Sequence, residues 1–343
     1  MSNNQPGSCP ILTIAVPTFN RVSTLRETLT PLLDSGLLSR EFQLCVFDNA
    51  SDDETSQWLE SIGSKLGCSV VRQPLNLGLE GNIIDAMLRS RGEFVWTLSD
   101  HMVLRLGRIK KLVDSLPQLM SEGVDVIYAG IEAYGPVLGE RRSPYRWKHL
   151  SAANQSRIIF RTGNTSGLIT RRRLRIASAR SLYRFARFSY PHLGVFAHIQ
   201  PDTVLAEFDA LSEFATTAAS QAKLPAYNSF KSRFIGYPDA VGEIRRLNAN
   251  VVADGAGLCL AVGALRQDLV ELLQSDVPVS QYPLATPLRR FPWRVTPFIV
   301  WAMAMQVLPV GIRRWINRQV FRSASKRSSP AGIGARSALR INE

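Results

Sequence analysis

Apolar and polar positions alternate along the first half of the chain in a way that writes out its elements. Ile11–Val16 is a short apolar run closed by Pro17, the mark of a buried strand. Val22, Leu25, Leu29, Leu32 and Leu33 then fall on one face of a helix. Thr24 and Glu27 have capping-box spacing near its start, and Ser51 and Glu54 repeat that spacing before a helix carrying Trp58, Leu59 and Ile62. Phe42–Phe47, Val70–Val71, Glu93–Leu98 and Val124–Tyr128 read as four further strands. Asn82–Leu88 and Leu106–Leu116 read as the intervening helices. Strands alternating with helices predict an α/β fold with a mostly parallel central sheet, right-handed crossovers and helices on both faces.

The polar residues fall at one kind of place. Thr18 and Asn20 follow the first strand, Asp48 and Asn49 the second, Asn76 the third and Asp100 the fourth. Ligands of open α/β sheets bind outside the carboxyl ends of the strands, so four such positions in succession point to a nucleotide or sugar-phosphate site. Turns also favour Asn and Asp, and one position alone would carry no weight. There is no Gly-x-Gly-x-x-Gly after the first strand and no P-loop signature, which argues against dinucleotide and P-loop chemistry.

Four stretches carry a resemblance. Val16-Pro17-Thr18-Phe19-Asn20-Arg21, Phe47-Asp48-Asn49-Ala50-Ser51-Asp52-Asp53, Asn76-Leu77-Gly78-Leu79-Glu80-Gly81-Asn82 and Trp96-Thr97-Leu98-Ser99-Asp100 resemble family 2 glycosyltransferases of the GT-A fold, in the family's order and spacing. The resemblance is clear from Ile11 to Ile109 and thinner to Asp209. It implies inverting transfer of a sugar from a nucleoside-diphosphate sugar. Pro17, Thr18, Asn20, Asn76 and Gly78 would belong to the donor site, Asp48 would meet the nucleobase, Asn82 would face the nucleotide, and Asp100 would be the first carboxylate of the metal and ribose motif.

The same resemblance implies a divalent cation, Mn²⁺ or Mg²⁺, on the leaving diphosphate. The family's second carboxylate is missing here, because His101 and Met102 stand where it is expected. Methionine is a poor ligand for Mg²⁺, so Asp100 and His101 are the candidate metal ligands. Arg171, which opens the run Arg171-Arg172-Arg173, is a candidate for the diphosphate, since guanidinium forks suit phosphate oxygens. An inverting transfer also needs a base. Ser189-Tyr190-Pro191-His192 stands roughly where the family has an acid, so His192 is the first candidate, with Asp202 and His198 next.

Composition adds location. The chain has 343 residues, 45% apolar and 20% charged, an ordinary globular mix. Its four scattered cysteines show no metal or disulfide spacing, and the polar stretch Met1–Pro10 lacks a signal-peptide pattern, so a cytoplasmic protein is expected. The net charge is +13, of which +10 falls after Ser280. There Val295–Ile312 is uncharged over 18 residues, flanked by arginines on both sides and by Trp293 and Trp315. Short, broken by Pro297 and Pro309 and basic at both ends, it reads as a segment lying at an anionic membrane surface. Nucleic acid is not an expected partner, since no nucleic-acid motif accompanies the charge.

The expected organisation is a flexible 1–10, a donor-binding and catalytic domain over 11–215, a helical region over 216–285, a membrane-associating segment over 286–322 and a disordered 323–343. Lipid-linked glycan is the expected acceptor. A non-catalytic relative, a basic nucleic-acid-binding protein and a nucleotidyltransferase are the rival readings.

Overall fold

In a computed structural model the described residues are 9–131, 144–214 and 236–252, with 308, 309, 311 and 312. The chain divides into two compact units, one of residues 1–224 and 231–261, the other of 225–230 and 262–343. Nearly all described residues belong to the first. The expectations for the apolar basic segment 286–322, for the tail 323–343 and for the helical region 216–285 beyond residues 236–252 lie outside the described residues apart from the short piece near 310.

The first unit opens with β1 (Leu12–Thr18), α1 (Val22–Asp34), β2 (Phe42–Asp48), α2 (Thr55–Ile62), β3 (Cys68–Arg72), α3 (Gly78–Arg89) and β4 (Phe94–Thr97). Then come β5 (Met102–Leu104), α4 (Leu106–Ser121), β6 (Val124–Ile131), β7 (Tyr145–Arg146), α5 (Ala152–Arg161) and β8 (Leu168–Arg171). Two short helices, α6 (Arg172–Ala177) and α7 (Ala179–Ala186), a 3₁₀ stretch (Pro191–His198), β9 (Val204–Phe214) and α8 (Tyr237–Leu247) complete it.

The strands form one sheet in the order β3-β2-β1-β4-β8-β6-β9-β5, with β7 pairing with β9. β1 to β4 are mutually parallel, as the alternation of strands and helices requires. β8 enters antiparallel to both β4 and β6, and β9 runs parallel to β6. The carboxyl ends of β1, β2, β3, β4, β6 and β9 therefore share one edge, and the carboxyl end of β8 lies on the other.

Period-two burial assigns the helices to faces. Ile14, Leu44 and Trp96 pack with Leu25 and Leu29 of α1, Leu59 of α2 and Leu112 of α4. Their sheet neighbours Ala15 and Val95 point the other way, onto Ala86 of α3. On that second face Ile84, Tyr128, Ile159, Leu182 and Phe196 join α3, α5, α7 and the 3₁₀ stretch into a second core, which α8 closes with Ala240 and Ile244. Tyr237, an aromatic suited by type to stack on sugar, is instead a core residue, edge-on to Phe160 and Tyr190.

The two capping boxes do not form. α1 begins at Val22, and Thr24 Oγ1 donates to the Arg21 carbonyl instead of taking an N–H. Ser51 Oγ accepts the Asn20 N–H, a cross-loop bond in place of a helix cap.

Candidate active site

The turns after β1 and β2 are built against each other. Asn20 sits at φ 51° and Ala50 at φ 63°, left-handed conformations that an alanine adopts at a cost of about 1–2 kcal/mol. The turns lock by reciprocal bonds: Asn20 Nδ2 donates to Asp52 Oδ1, and the Asp52 N–H donates back to Asn20 Oδ1 at 2.9 Å. Pro17 lies within β1, level with Phe47 of β2.

Asp48 closes β2 with no exposed surface. Its Oδ1 accepts the Ser51 N–H at 3.0 Å and its Oδ2 the Ser56 hydroxyl at 2.8 Å, while Arg72 Nη1 lies 3.4 Å away. The carboxylate therefore organises the turn. Asn49 binds the next loop: its Nδ2 donates to Asn76 Oδ1 at 2.8 Å, and its Oδ1 accepts the Leu77 N–H. Asn76 Oδ1 also accepts the Gly78 N–H, and Gly78 takes φ 74°, which favours glycine, as α3 begins. From α3, Asn82 Nδ2 reaches back to the carbonyls of Phe47 at 2.9 Å and Thr18 at 3.4 Å.

Asp100 joins this set from beyond β4. Thr18 Oγ1 donates to its Oδ2 at 2.9 Å, His101 Nδ1 lies 3.2 Å from its Oδ1, and Arg21 Nη1 lies 3.4 Å from the same oxygen. The Thr28 hydroxyl donates to the Asp100 carbonyl. Beside it, Ser166 Oγ accepts the Ser99 N–H at 3.0 Å, bringing the 164–167 turn to the same edge.

Eight of the nine residues expected at the donor site, Pro17, Thr18, Asn20, Asp48, Asn76, Gly78, Asn82 and Asp100, thus lie on one sheet edge. Arg171 does not, which is a correction. It ends antiparallel β8, level with Phe94 at the start of β4, and its Nε donates to Glu93 at 2.5 Å. Arg173 pairs with Asp125, and Arg175 is buried with its Nη2 alone donating to the carbonyls of Ser90 and Gly92, its pKa lowered to about 10 by burial. All three belong to the opposite edge.

The expected bases are corrected too. His192 is 3% exposed; its Nε2–H donates to the Thr162 carbonyl at 2.7 Å, and its Nδ1 has no partner. Burial pushes its pKa down to about 4, so at neutral pH it is an uncharged prop under the 162–167 turn. Asp202 precedes β9 at the amino edge, exposed, where Lys148 first and Arg146 second hold its pKa low. His198 bonds Ser181 at 2.8 Å.

Asp100 and His101 do meet, but the described residues hold no third His, Cys, Asp or Glu near enough to complete a metal cage. Met102 is 1% exposed and points into the core. Asp100 is one carboxylate, already bonded to Thr18 and facing a guanidinium, and His101 is an imidazole, so the pair offers a hard dication less than two carboxylates would.

Sequence reasoning passed over Arg21 and Ser51. Both stand inside the motifs, but neither type is distinctive in a turn, and only the approach of the loops gives them their partners.

A mixed sheet whose parallel half gathers polar loop residues at one edge defines the class of fold, GT-A. Residues 13–180 match the family described as Glycosyl transferase family 2, so this stretch carries a family 2 glycosyltransferase domain. Over 138 residues it is 22% identical to the abequosyltransferase RfbV of Salmonella typhimurium, covering 40% of each chain. Over 126 residues it is 27% identical to the undecaprenyl-phosphate 4-deoxy-4-formamido-L-arabinose transferase of Pseudomonas paraeruginosa, covering 36% of each. A crystal structure of S. aureus TarS superposes with a TM-score of 0.50 at 16% identity, over 86% of this chain and 53% of that one. The matched stretches span well under half of the two sequence relatives, and the TarS likeness speaks for the fold alone. Among the described residues no helix is long and apolar enough to cross a membrane.

Proposed function

We propose that the chain transfers a sugar from a nucleoside-diphosphate sugar to an acceptor hydroxyl with inversion at the anomeric carbon. The observation that carries this is the bonded set running from Asn76 through Asn49, Thr18 and Asp100 to His101 along one sheet edge. Carboxylates and amides gathered at the strand ends suit a base imide and ribose hydroxyls.

A lipid-linked glycan is the proposed acceptor. The undecaprenyl-phosphate in one relative's name and the sugar transfer in both names support it. The apolar segment between arginines, 286–322, supports peripheral attachment to the cytoplasmic face of a membrane. Neither His192 nor Asp202 is proposed as the base.

The test is the purified full chain with a panel of nucleotide sugars and undecaprenyl-linked acceptors. The reading expects nucleoside diphosphate release that depends on acceptor, with the new linkage opposite in anomeric configuration to the donor. Release of pyrophosphate, or retention of configuration, would overturn it.

A further inference from the structure

We propose that Arg21 is the diphosphate-binding cation of this enzyme and that nucleotide binding does not require a divalent metal. The inference rests on the donor-site reading above and deepens it.

The first observation is the donor set. Asp100 is followed by His101 and Met102, and the Met102 side chain is packed among core residues. No cluster of three metal-binding side chains occurs among the described residues. The second is what stands at Asp100 instead. Arg21 leaves the β1–α1 turn with one nitrogen, Nη1, 3.4 Å from Asp100 Oδ1, and its side chain is 36% exposed. The guanidinium therefore meets the carboxylate through one nitrogen while its side chain keeps access to solvent at the edge proposed for the donor.

The third observation is that, among the described residues, these neighbouring cations have other partners. Arg72 is held by Ser56, the Ser51 carbonyl and Asp48. Arg105 pairs with Glu213 at 2.6 Å. Arg171, Arg173 and Arg175 occupy the far edge. Arg21 is fixed at its root as well: its N–H donates to Thr55 Oγ1 and its carbonyl accepts Thr24 Oγ1. A guanidinium remains charged at any working pH and presents paired N–H groups to phosphate oxygens, so it can supply locally what a bound dication supplies.

The experiment compares each of uridine, cytidine, guanosine and thymidine with its diphosphate, by calorimetric titration of the full chain in chelator and in Mn²⁺. For the base that binds, the wild-type diphosphate affinity in chelator is expected within about threefold of that in Mn²⁺. Arg21→Gln should weaken the diphosphate about tenfold or more in chelator while leaving the nucleoside within about twofold. Arg21→Lys should fall between, and the circular dichroism of both variants should match wild type. Loss of wild-type diphosphate binding in chelator would overturn the proposal, as would equal weakening of nucleoside and diphosphate in Arg21→Gln. If no nucleoside or diphosphate binds the wild type under either condition, the donor-site reading itself fails, and this proposal fails with it.

Discussion

Thr18 Oγ1 donates to Asp100 Oδ2 at 2.9 Å, joining the end of the first strand to a residue 82 positions later. Both groups are buried, so the bond fixes the carboxylate from which the 3.4 Å approach of Arg21 and the 3.2 Å approach of His101 are measured. Thr18→Val keeps the shape and removes the donor. It should cost about 1–2 kcal/mol of stability and weaken nucleoside diphosphate binding about tenfold. Urea unfolding and calorimetric titration of the same sample check both numbers.

Asn82 spans two strand ends through one amide nitrogen, with bonds to Phe47 and Thr18. Asn82→Ala removes both bonds, although the Thr18 carbonyl keeps the Asn49 N–H at 3.0 Å. A loss of about 1–3 kcal/mol is expected in urea unfolding, with hydrogen exchange speeding at the β1 and β2 termini before the rest of the sheet.

His192 links stability to pH. Its pKa is about 4 in the folded chain against 6.5 for a free imidazole, lowered by burial. As pH falls the unfolded chain takes up the proton first, so the stabilisation is complete above about 6.5 and is lost progressively down to about 4, roughly 3 kcal/mol in all. His192→Gln cannot titrate and can still donate to Thr162. Its midpoint should fall less steeply between pH 6.5 and 4 than the wild type's, in thermal melts at matched ionic strength.

The amino edge supplies controls. Asp202 is exposed and held by Lys148 and Arg146, and Arg171 is held by Glu93, both away from the carboxyl ends of the parallel strands. Asp202→Ala and Arg171→Ala should each retain transfer rates within about twofold of wild type, as expected of residues away from the reacting groups. A loss of a hundredfold in either would place chemistry at the wrong edge.

The parallel half was legible in the sequence because each strand is a short apolar run closed by a turn former, as at Pro17 and Asp48. The ends of those strands were legible for the same reason, and eight donor-site candidates follow from them. The antiparallel β8 was not. Leu168–Arg171 is four residues long, and neither its length nor its period says which way it runs. That direction decides the edge on which Arg171 lies. His192 and Asp202 failed as bases for a related reason. Residue type and chain order suggest chemistry, but burial under Thr162 and position before β9 are set by tertiary packing. Arg21 was in plain view and meant nothing until the loop carrying Asp100 was seen to close over the β1–α1 turn.

The most direct test of the donor edge is the thermal midpoint of wild type, Asp100→Asn and Asp202→Ala, each with and without nucleoside diphosphates. A ligand at one hundred times its dissociation constant stabilises the native state by about 2.7 kcal/mol, a shift of several degrees. That shift is expected in wild type and in Asp202→Ala, and its loss in Asp100→Asn. Equal shifts in all three proteins, or none in the wild type, would contradict it.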